Sequence, residues 1–225
     1  MNARVPALVA AASLSVAVSG AAAASGDEAP ARVASDARWT PPADFVAAMH
    51  RACDGSSGDF GACFVRAMEK AGAPAAALAF ARRTGDQGYL EEFRATGGLV
   101  DVAVARYPFR ANENSVCFLV NGAPPLIDVD DPRYLDRDAL RGDPGYAAIL
   151  RAHPNAAVFP GPRAKADAVR ETRRPDGGQV FGVPYALTDG CHACARIGAL
   201  TLDFDFDPSG RLAGTRVASV RADGR

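Results

Sequence analysis

Lysine is nearly absent from this chain: only Lys70 and Lys165 occur among 25 basic residues, and the formal net charge is −1. Without an excess of positive charge, the sequence gives no electrostatic case for binding nucleic acid or an anionic membrane. At 48% hydrophobic residues it is too apolar for a disordered chain, and its 22 Gly and 16 Pro follow no collagen-like period. What remains is a globular protein.

The short motifs of several common enzyme classes are also missing. The sequence contains no Gly-x-Ser-x-Gly elbow, no Walker loop and no dinucleotide-binding fingerprint. Cys117 with a distant histidine would suit a thiol enzyme, but a buried strand thiol is the simpler interpretation. We therefore expect a protein without catalytic activity, without a cofactor and without a metal.

The first 24 residues have the pattern of a signal peptide. Arg4 supplies the positive charge, Ala7–Val18 is an uncharged apolar run, and Ala21–Ala24 offers the small residues that signal peptidase requires. A retained membrane helix is the alternative, but no basic flank follows the run. Cleavage before Ser25 predicts an exported protein in the bacterial periplasm, with a flexible leader over residues 25–38 and one α+β domain over 39–225.

Because export exposes the five cysteines to an oxidising compartment, we expect them to be disulfide partners. Cys53 ends one predicted helix and Cys63 opens the next, so a short Gly-rich loop brings them together as a disulfide-linked αα-hairpin. Cys191 and Cys194 form the second expected disulfide. Cys117 is then the free thiol.

Residues 39–97 are predicted to be helical. Apolar spacing indicates helices over 43–53, 60–71 and 74–83, and Tyr89, Leu90 and Phe93 suggest a fourth that ends at Gly97-Gly98.

Residues 98–225 are predicted to be mostly β. Alternation over 99–109 indicates a strand with one buried face, and residues 115–120 form a second strand with Cys117 and Leu119 on one side. A short edge strand at 124–129, a loop-like stretch at 130–142, a short helix after Pro144 and a long surface excursion at 154–178 follow. Three strands over 179–188, 195–207 and 212–220 form a meander. The expected fold class is α+β, a helical layer packed on a mostly antiparallel sheet.

The most conspicuous motif is Cys191-His192-Ala193-Cys194. A thioredoxin-like redox pair would need a helix after the second cysteine to lower the thiol pKa, whereas the residues after Cys194 alternate as a strand. A zinc site would need two further ligands nearby. We favour a disulfide that closes the loop between two strands and forces His192 outward, with a thiol–disulfide redox protein as the alternative.

A strand, a cysteine-bracketed loop holding a histidine, and a long returning hairpin resemble the periplasmic inhibitors of vertebrate lysozyme. The resemblance covers residues 180–217 and rests on Cys191, His192 and Cys194. In that family the disulfide-closed loop plugs the lysozyme cleft, which implies His192 as a contact residue. This loop is shorter than the family's and lacks its charged neighbours of the histidine. The resemblance implies a binding protein, with a hydrolase such as lysozyme as its target.

Several other polar, acidic and histidine residues have both a functional and a structural interpretation. Arg110, Asn112 and Glu113 form a polar hairpin tip that could line a binding site for a protein or a small ligand, or a capped turn. The acidic runs at 128–131 and 203–207 lack the closing ligand of a calcium loop, and we expect the second run to be the solvated face of a strand. We expect His50 at the edge of the core and His153 beside the last carbonyls of a helix.

Overall fold

A computed structural model describes residues 32–53, 59–85, 87–110, 114–160 and 165–223. The expected signal peptide, residues 25–31 of the expected leader, and the candidate residues Asn112 and Glu113 lie outside these ranges. Within the described ranges, no helix is both long and apolar enough to span a bilayer.

The described residues form five α-helices and two antiparallel sheets, a mixed α+β architecture as predicted. The helices, most of them N-terminal, are α1 (Phe45–Cys53), α2 (Phe60–Lys70), α3 (Ala75–Arg83), α4 (Arg137–Gly142) and α5 (Pro144–Ala152). The first sheet contains β1 (Tyr89–Arg94), β2 (Asp101–Arg106), β3 (Ser115–Val120) and β4 (Leu126–Asp128), in that order. The second sheet contains β5 (Ala156–Pro160), β6 (Arg170–Arg173), β7 (Gln179–Asp189), β8 (Arg196–Phe206) and β9 (Leu212–Ala222).

Helices α1 and α2 form the expected αα-hairpin. The carboxylate of Asp59 accepts hydrogen bonds from the backbone N–H groups of Gly61 and Ala62, which caps α2. Cys53 is the last residue of α1 and Cys63 lies in the first turn of α2, with Cα atoms 5.9 Å apart and the sulfurs joined. The disulfide therefore ties the two helices together at one end.

The fourth predicted helix is wrong, because Tyr89–Arg94 is strand β1 and pairs with β2. A register shift between Leu90 and Glu92 marks a β-bulge. The extra residue breaks the alternation of the strand, so that Tyr89, Leu90 and Phe93 fall at a spacing that looks helical. Pairing with a distant strand, which no local pattern encodes, decides the structure here.

The first sheet is buried on both faces. On β3, Val116 and Phe118 belong to the core beneath the helices, whereas Cys117 and Leu119 belong to the core shared with the second sheet, as the alternation predicts. The prediction of one buried face on β2 is wrong, because the small side chains of residues 103 and 105 are fully buried under the helical layer.

The three C-terminal strands form the predicted meander. Strands β7, β8 and β9 have 11 residues each and pair antiparallel in sequence order. Phe181 lies opposite Phe204, and Tyr185 lies opposite Leu200, all of them buried between the two sheets. On the other face Asp203 pairs with Arg216. The prediction of a solvated face is wrong at Asp203, which is buried, because the neighbouring strand β9 and its arginine cover it.

Two predictions between β4 and β7 are wrong. The expected surface excursion at 154–178 contains strands β5 and β6, which both pair with β7. The expected loop at 130–142 contains α4, which Asp136 caps through the backbone N–H groups of Asp138 and Ala139. These elements are short, and their pairing and packing partners lie far along the chain, so no period identifies them. Helix α5 occupies the predicted place after Pro144.

Residues 32–38, which the sequence assigns to a flexible leader, are packed on the core. Val33 and Ala37 are buried. The side chain of Asn121 accepts from the N–H of Val33 at 2.7 Å and donates to its carbonyl oxygen at 2.8 Å. The main-chain N–H of Trp39 donates to the carbonyl oxygen of Leu90. Long-range hydrogen bonds thus order a segment that is polar in sequence.

Candidate functional site

The Cys191–Cys194 loop joins the end of β7 to the start of β8. The two sulfurs are bonded, with Cα atoms 5.0 Å apart, and the N–H of Cys194 donates to the carbonyl oxygen of Cys191 at 3.0 Å. The hydroxyl of Thr188 donates to the same oxygen at 2.7 Å. At the base of the loop, the N–H of Asp189 donates to the carbonyl oxygen of Ala195. The loop is therefore closed by one covalent bond and three hydrogen bonds.

His192 does not point freely outward, as the sequence suggests, but lies half-buried against Phe159 of β5. The two rings meet edge to face, with centroids 5.3 Å apart and planes at 89°. Aromatic pairs of this geometry are favourable beyond the area that they bury. The contact connects the tip of the loop to the neighbouring strand, so that the orientation of the imidazole is fixed from two sides.

A second histidine supports the base of the loop. The Nδ1 atom of His153 lies 3.2 Å from Oδ2 of Asp189, the last residue of β7. As expected, His153 lies beside the last carbonyls of α5, where its backbone N–H donates to the carbonyl oxygen of Ile149, while its ring contacts Asp189. Because α5 and β7 are distant in sequence, only the fold brings His153 to the loop.

Of the other predicted binding residues, the structure describes only Arg110, which lies in the turn after β2. The guanidinium of Arg110 lies over the ring of Tyr107, 3.8 Å from its centroid. Burial raises the pKa of Tyr107 to about 12, although the positive charge of Arg110 opposes this rise. His50 meets Phe109 edge to face at 4.8 Å, at the edge of the helical core as expected.

The free cysteine, Cys117, is inaccessible. It is 1% exposed on β3, between the two sheets, and forms no disulfide. Burial raises the pKa of its thiol, and the negative charges of Asp130 and Asp128 raise it further. The thiolate, which is the reactive form, is therefore strongly disfavoured in the folded protein.

Among the residues that the structure describes, no group of three or more His, Cys, Asp or Glu side chains is arranged to hold a metal ion. In the 203–207 run, Asp203 and Asp205 face Arg216 and Arg174, and Asp207 accepts from Ser209 in the following turn. In the 128–131 run, burial raises the pKa of Asp128, and Asp131 pairs with Arg133. Both runs thus have structural partners within the chain.

Comparison with known proteins adds no assignment. No family model matches the chain, and no significant match is found to a curated protein or to a solved structure. The arrangement around His192 must therefore be interpreted from its own geometry.

The sequence identified the loop residues Cys191, His192 and Cys194. It did not identify the residues that support the loop: Phe159 and Asp189, with His153 beside Asp189. The one local signal was the apolar run Ala156–Phe159, bounded by prolines at positions 154 and 160. Within the otherwise polar stretch 154–178, that run could have been assigned as a short buried strand.

Proposed function

We propose that this is an exported, disulfide-stabilised binding protein that presents the Cys191–Cys194 loop to a protein partner. The first candidate partner is a hydrolase such as lysozyme, whose substrate cleft would receive the loop. The observation that supports the proposal most directly is the contact between His192 and Phe159, which holds a half-exposed imidazole in one orientation at the tip of a closed loop.

A loop that is ordered before it meets its partner binds more tightly, because less conformational entropy is lost on association. Here the disulfide, the hydrogen bond from Thr188 and the packing on Phe159 supply that order in advance. The long strands β7 and β8 form a rigid base.

The second candidate function is thiol–disulfide exchange through the same cysteines. It is favoured by one observation, the exposure of Cys191 at the surface. Against it, the residue after Ala195 begins strand β8, and no helix N-terminus is present in residues 189–206 to stabilise a thiolate. We therefore place it below the binding function.

The binding function is tested by adding purified protein to lysozyme at increasing molar ratio and following the lysis of bacterial cell walls. We expect inhibition that is complete near stoichiometry, and about a tenfold weaker effect for His192→Ala. Arg211→Ala is the matched control, because Arg211 is exposed in the turn at the opposite end of β8. No inhibition by the wild-type protein would reject lysozyme as the partner.

The redox alternative is separated by the double variant Cys191→Ser/Cys194→Ser. A binding role predicts that wild type and double variant show the same background rate of thiol exchange with reduced glutathione. A wild-type rate well above that of the double variant would instead favour the redox function.

A further inference from the structure

A cleft of about 370 Å³ opens beside β5, and no residue of the Cys191–Cys194 loop lines it. Its walls come from the segment Val129–Pro132, helix α4, strand β5, and two tyrosines, Tyr146 and Tyr185. Small-molecule sites in proteins occupy roughly 300–1,000 Å³. The cleft therefore has room for a ligand near the lower end of that range.

The tyrosines hold the walls of this cleft in place. The hydroxyl of Tyr185 donates to the carbonyl oxygen of Val129 at 2.6 Å, in a buried hydrogen bond between the two sheets. The hydroxyl of Tyr146 donates to the carbonyl oxygen of Ala156 at 3.4 Å. Both hydroxyls are hydrogen-bonded to the main chain. A ligand in the cleft would therefore contact the aromatic rings of these tyrosines.

Strand β5 contributes one peptide group to the cleft. It is an edge strand of the second sheet. The N–H of Ala156 donates to the carbonyl oxygen of His153 and not to β7. Since the pattern alternates along an antiparallel strand, the N–H and C=O of Val158 also point away from β7, into the cleft that this residue lines. Pro160 has no N–H. The free edge of β5 therefore has too few hydrogen-bond donors to pair with a further strand.

The charges around the cleft have both signs. Arg137, at the start of α4, forms no ion pair with any residue that the structure describes, and Arg141 pairs only with the exposed Asp138. Asp130 also lines the cleft; burial raises the pKa of Tyr185, and the negative charge of Asp130 raises it further. The planar guanidinium of Arg137 has the geometry to bind a ligand carboxylate, and the negative charge of Asp130 attracts a cationic group.

We infer that this cleft binds a small zwitterion with an apolar side chain, either a free amino acid or a dipeptide. The carboxylate faces Arg137, the ammonium group lies on the side of Asp130, and the apolar side chain packs between Leu140 and Phe159. The Val158 peptide supplies one further donor and acceptor. The inference goes beyond the proposed function: the cleft and the Cys191–Cys194 loop share the contact of Phe159, but no loop residue lines the cleft.

The test titrates the full chain with phenylalanine, with the dipeptide Ala-Phe, and with two derivatives that each lack one charge, N-acetylphenylalanine and phenylalanine amide. We expect saturable binding of phenylalanine or of the dipeptide. The probe that binds more tightly indicates whether the natural ligand is an amino acid or a dipeptide. Each derivative should bind about tenfold more weakly.

Variants locate the site. Arg137→Gln should weaken the carboxylate probes about tenfold and leave the amide unchanged. The matched control is Arg151→Gln, an exposed arginine on α5 that does not line the cleft. Because Phe159 borders the cleft and contacts His192, the imidazole NMR signals of His192 should also shift on titration, while those of His50 stay in place.

Two results would overturn the inference. One is the lack of saturable binding by any of the four probes at millimolar concentration. The other is equal binding by Arg137→Gln and Arg151→Gln. Neither result bears on the lysozyme assay, so the two proposals fail separately.

Discussion

The ring of His192 meets the ring of Phe159 edge to face, with centroids 5.3 Å apart. This contact joins the disulfide-closed loop after β7 to the edge strand β5, two segments that are more than 30 residues apart in sequence. The contact between Nδ1 of His153 and Oδ2 of Asp189 adds a second connection, at the base of the same loop. Together they attach the exposed loop to the neighbouring strand and helix.

Phe159→Ala should loosen the loop and lower the free energy of unfolding by about 1–2 kcal/mol, because a half-buried ring and its aromatic contact are lost. Chemical denaturation measures the change. Phe159→Leu should recover part of it by restoring apolar contact. A loss below about 0.5 kcal/mol, the usual effect of a surface substitution, would show that the ring contact contributes nothing to the loop.

The two disulfides should differ in their effect on stability. Cys53 and Cys63 are 10 positions apart, whereas Cys191 and Cys194 are 3 apart. Since the entropy lost by the unfolded chain grows with the length of the closed loop, Cys53→Ser/Cys63→Ser should cost about 3 kcal/mol and Cys191→Ser/Cys194→Ser about 2 kcal/mol. Urea denaturation of both double variants tests the order, and the reverse order would contradict it.

Cys117 should make the protein sensitive to alkaline pH. Burial raises the pKa of its thiol above the ordinary value of 9.0. Above that pH the unfolded chain releases the thiol proton while the folded chain keeps it, so stability falls as the pH rises. The loss approaches about 1.4 kcal/mol per pH unit. Between pH 9 and 10, Cys117→Ala should be less affected by pH than the wild type, because the ionisation of the tyrosines is common to both proteins.

The thiol itself gives an independent check of this assignment. A thiol reagent such as DTNB should titrate no cysteine in the native protein and one per chain in denaturant. Rapid reaction in the native state would show that Cys117 is not buried.

Asn121 should be needed to hold residues 32–38 on the core. Its φ angle is 71°, and its side chain bonds both main-chain groups of Val33. Asn121→Ala should cost about 2–3 kcal/mol, because it adds backbone strain to the loss of these hydrogen bonds. Asn121→Gly relieves the strain and should cost about 1 kcal/mol less. Equal losses in the two variants would argue that backbone strain plays no part.

The sequence predicted the elements whose period is regular and missed those shaped by distant partners. The alternation of Leu200, Leu202, Phe204 and Phe206 is uninterrupted and identified β8 almost to its ends. In β1 a bulge after Leu90 disguises the strand. The candidate site shows the same division: Cys191 and Cys194 are neighbours in the chain, but Phe159 reaches His192 only through the pairing of β5 with β7.

If the Cys191–Cys194 loop is the surface that binds a protein partner, hydrogen–deuterium exchange of the protein, alone and with lysozyme, will detect it. We expect slower exchange on binding in the segment 189–195, and unchanged exchange in the turn 207–211 at the other end of β8. No change in either segment, or protection confined to the turn, would contradict it.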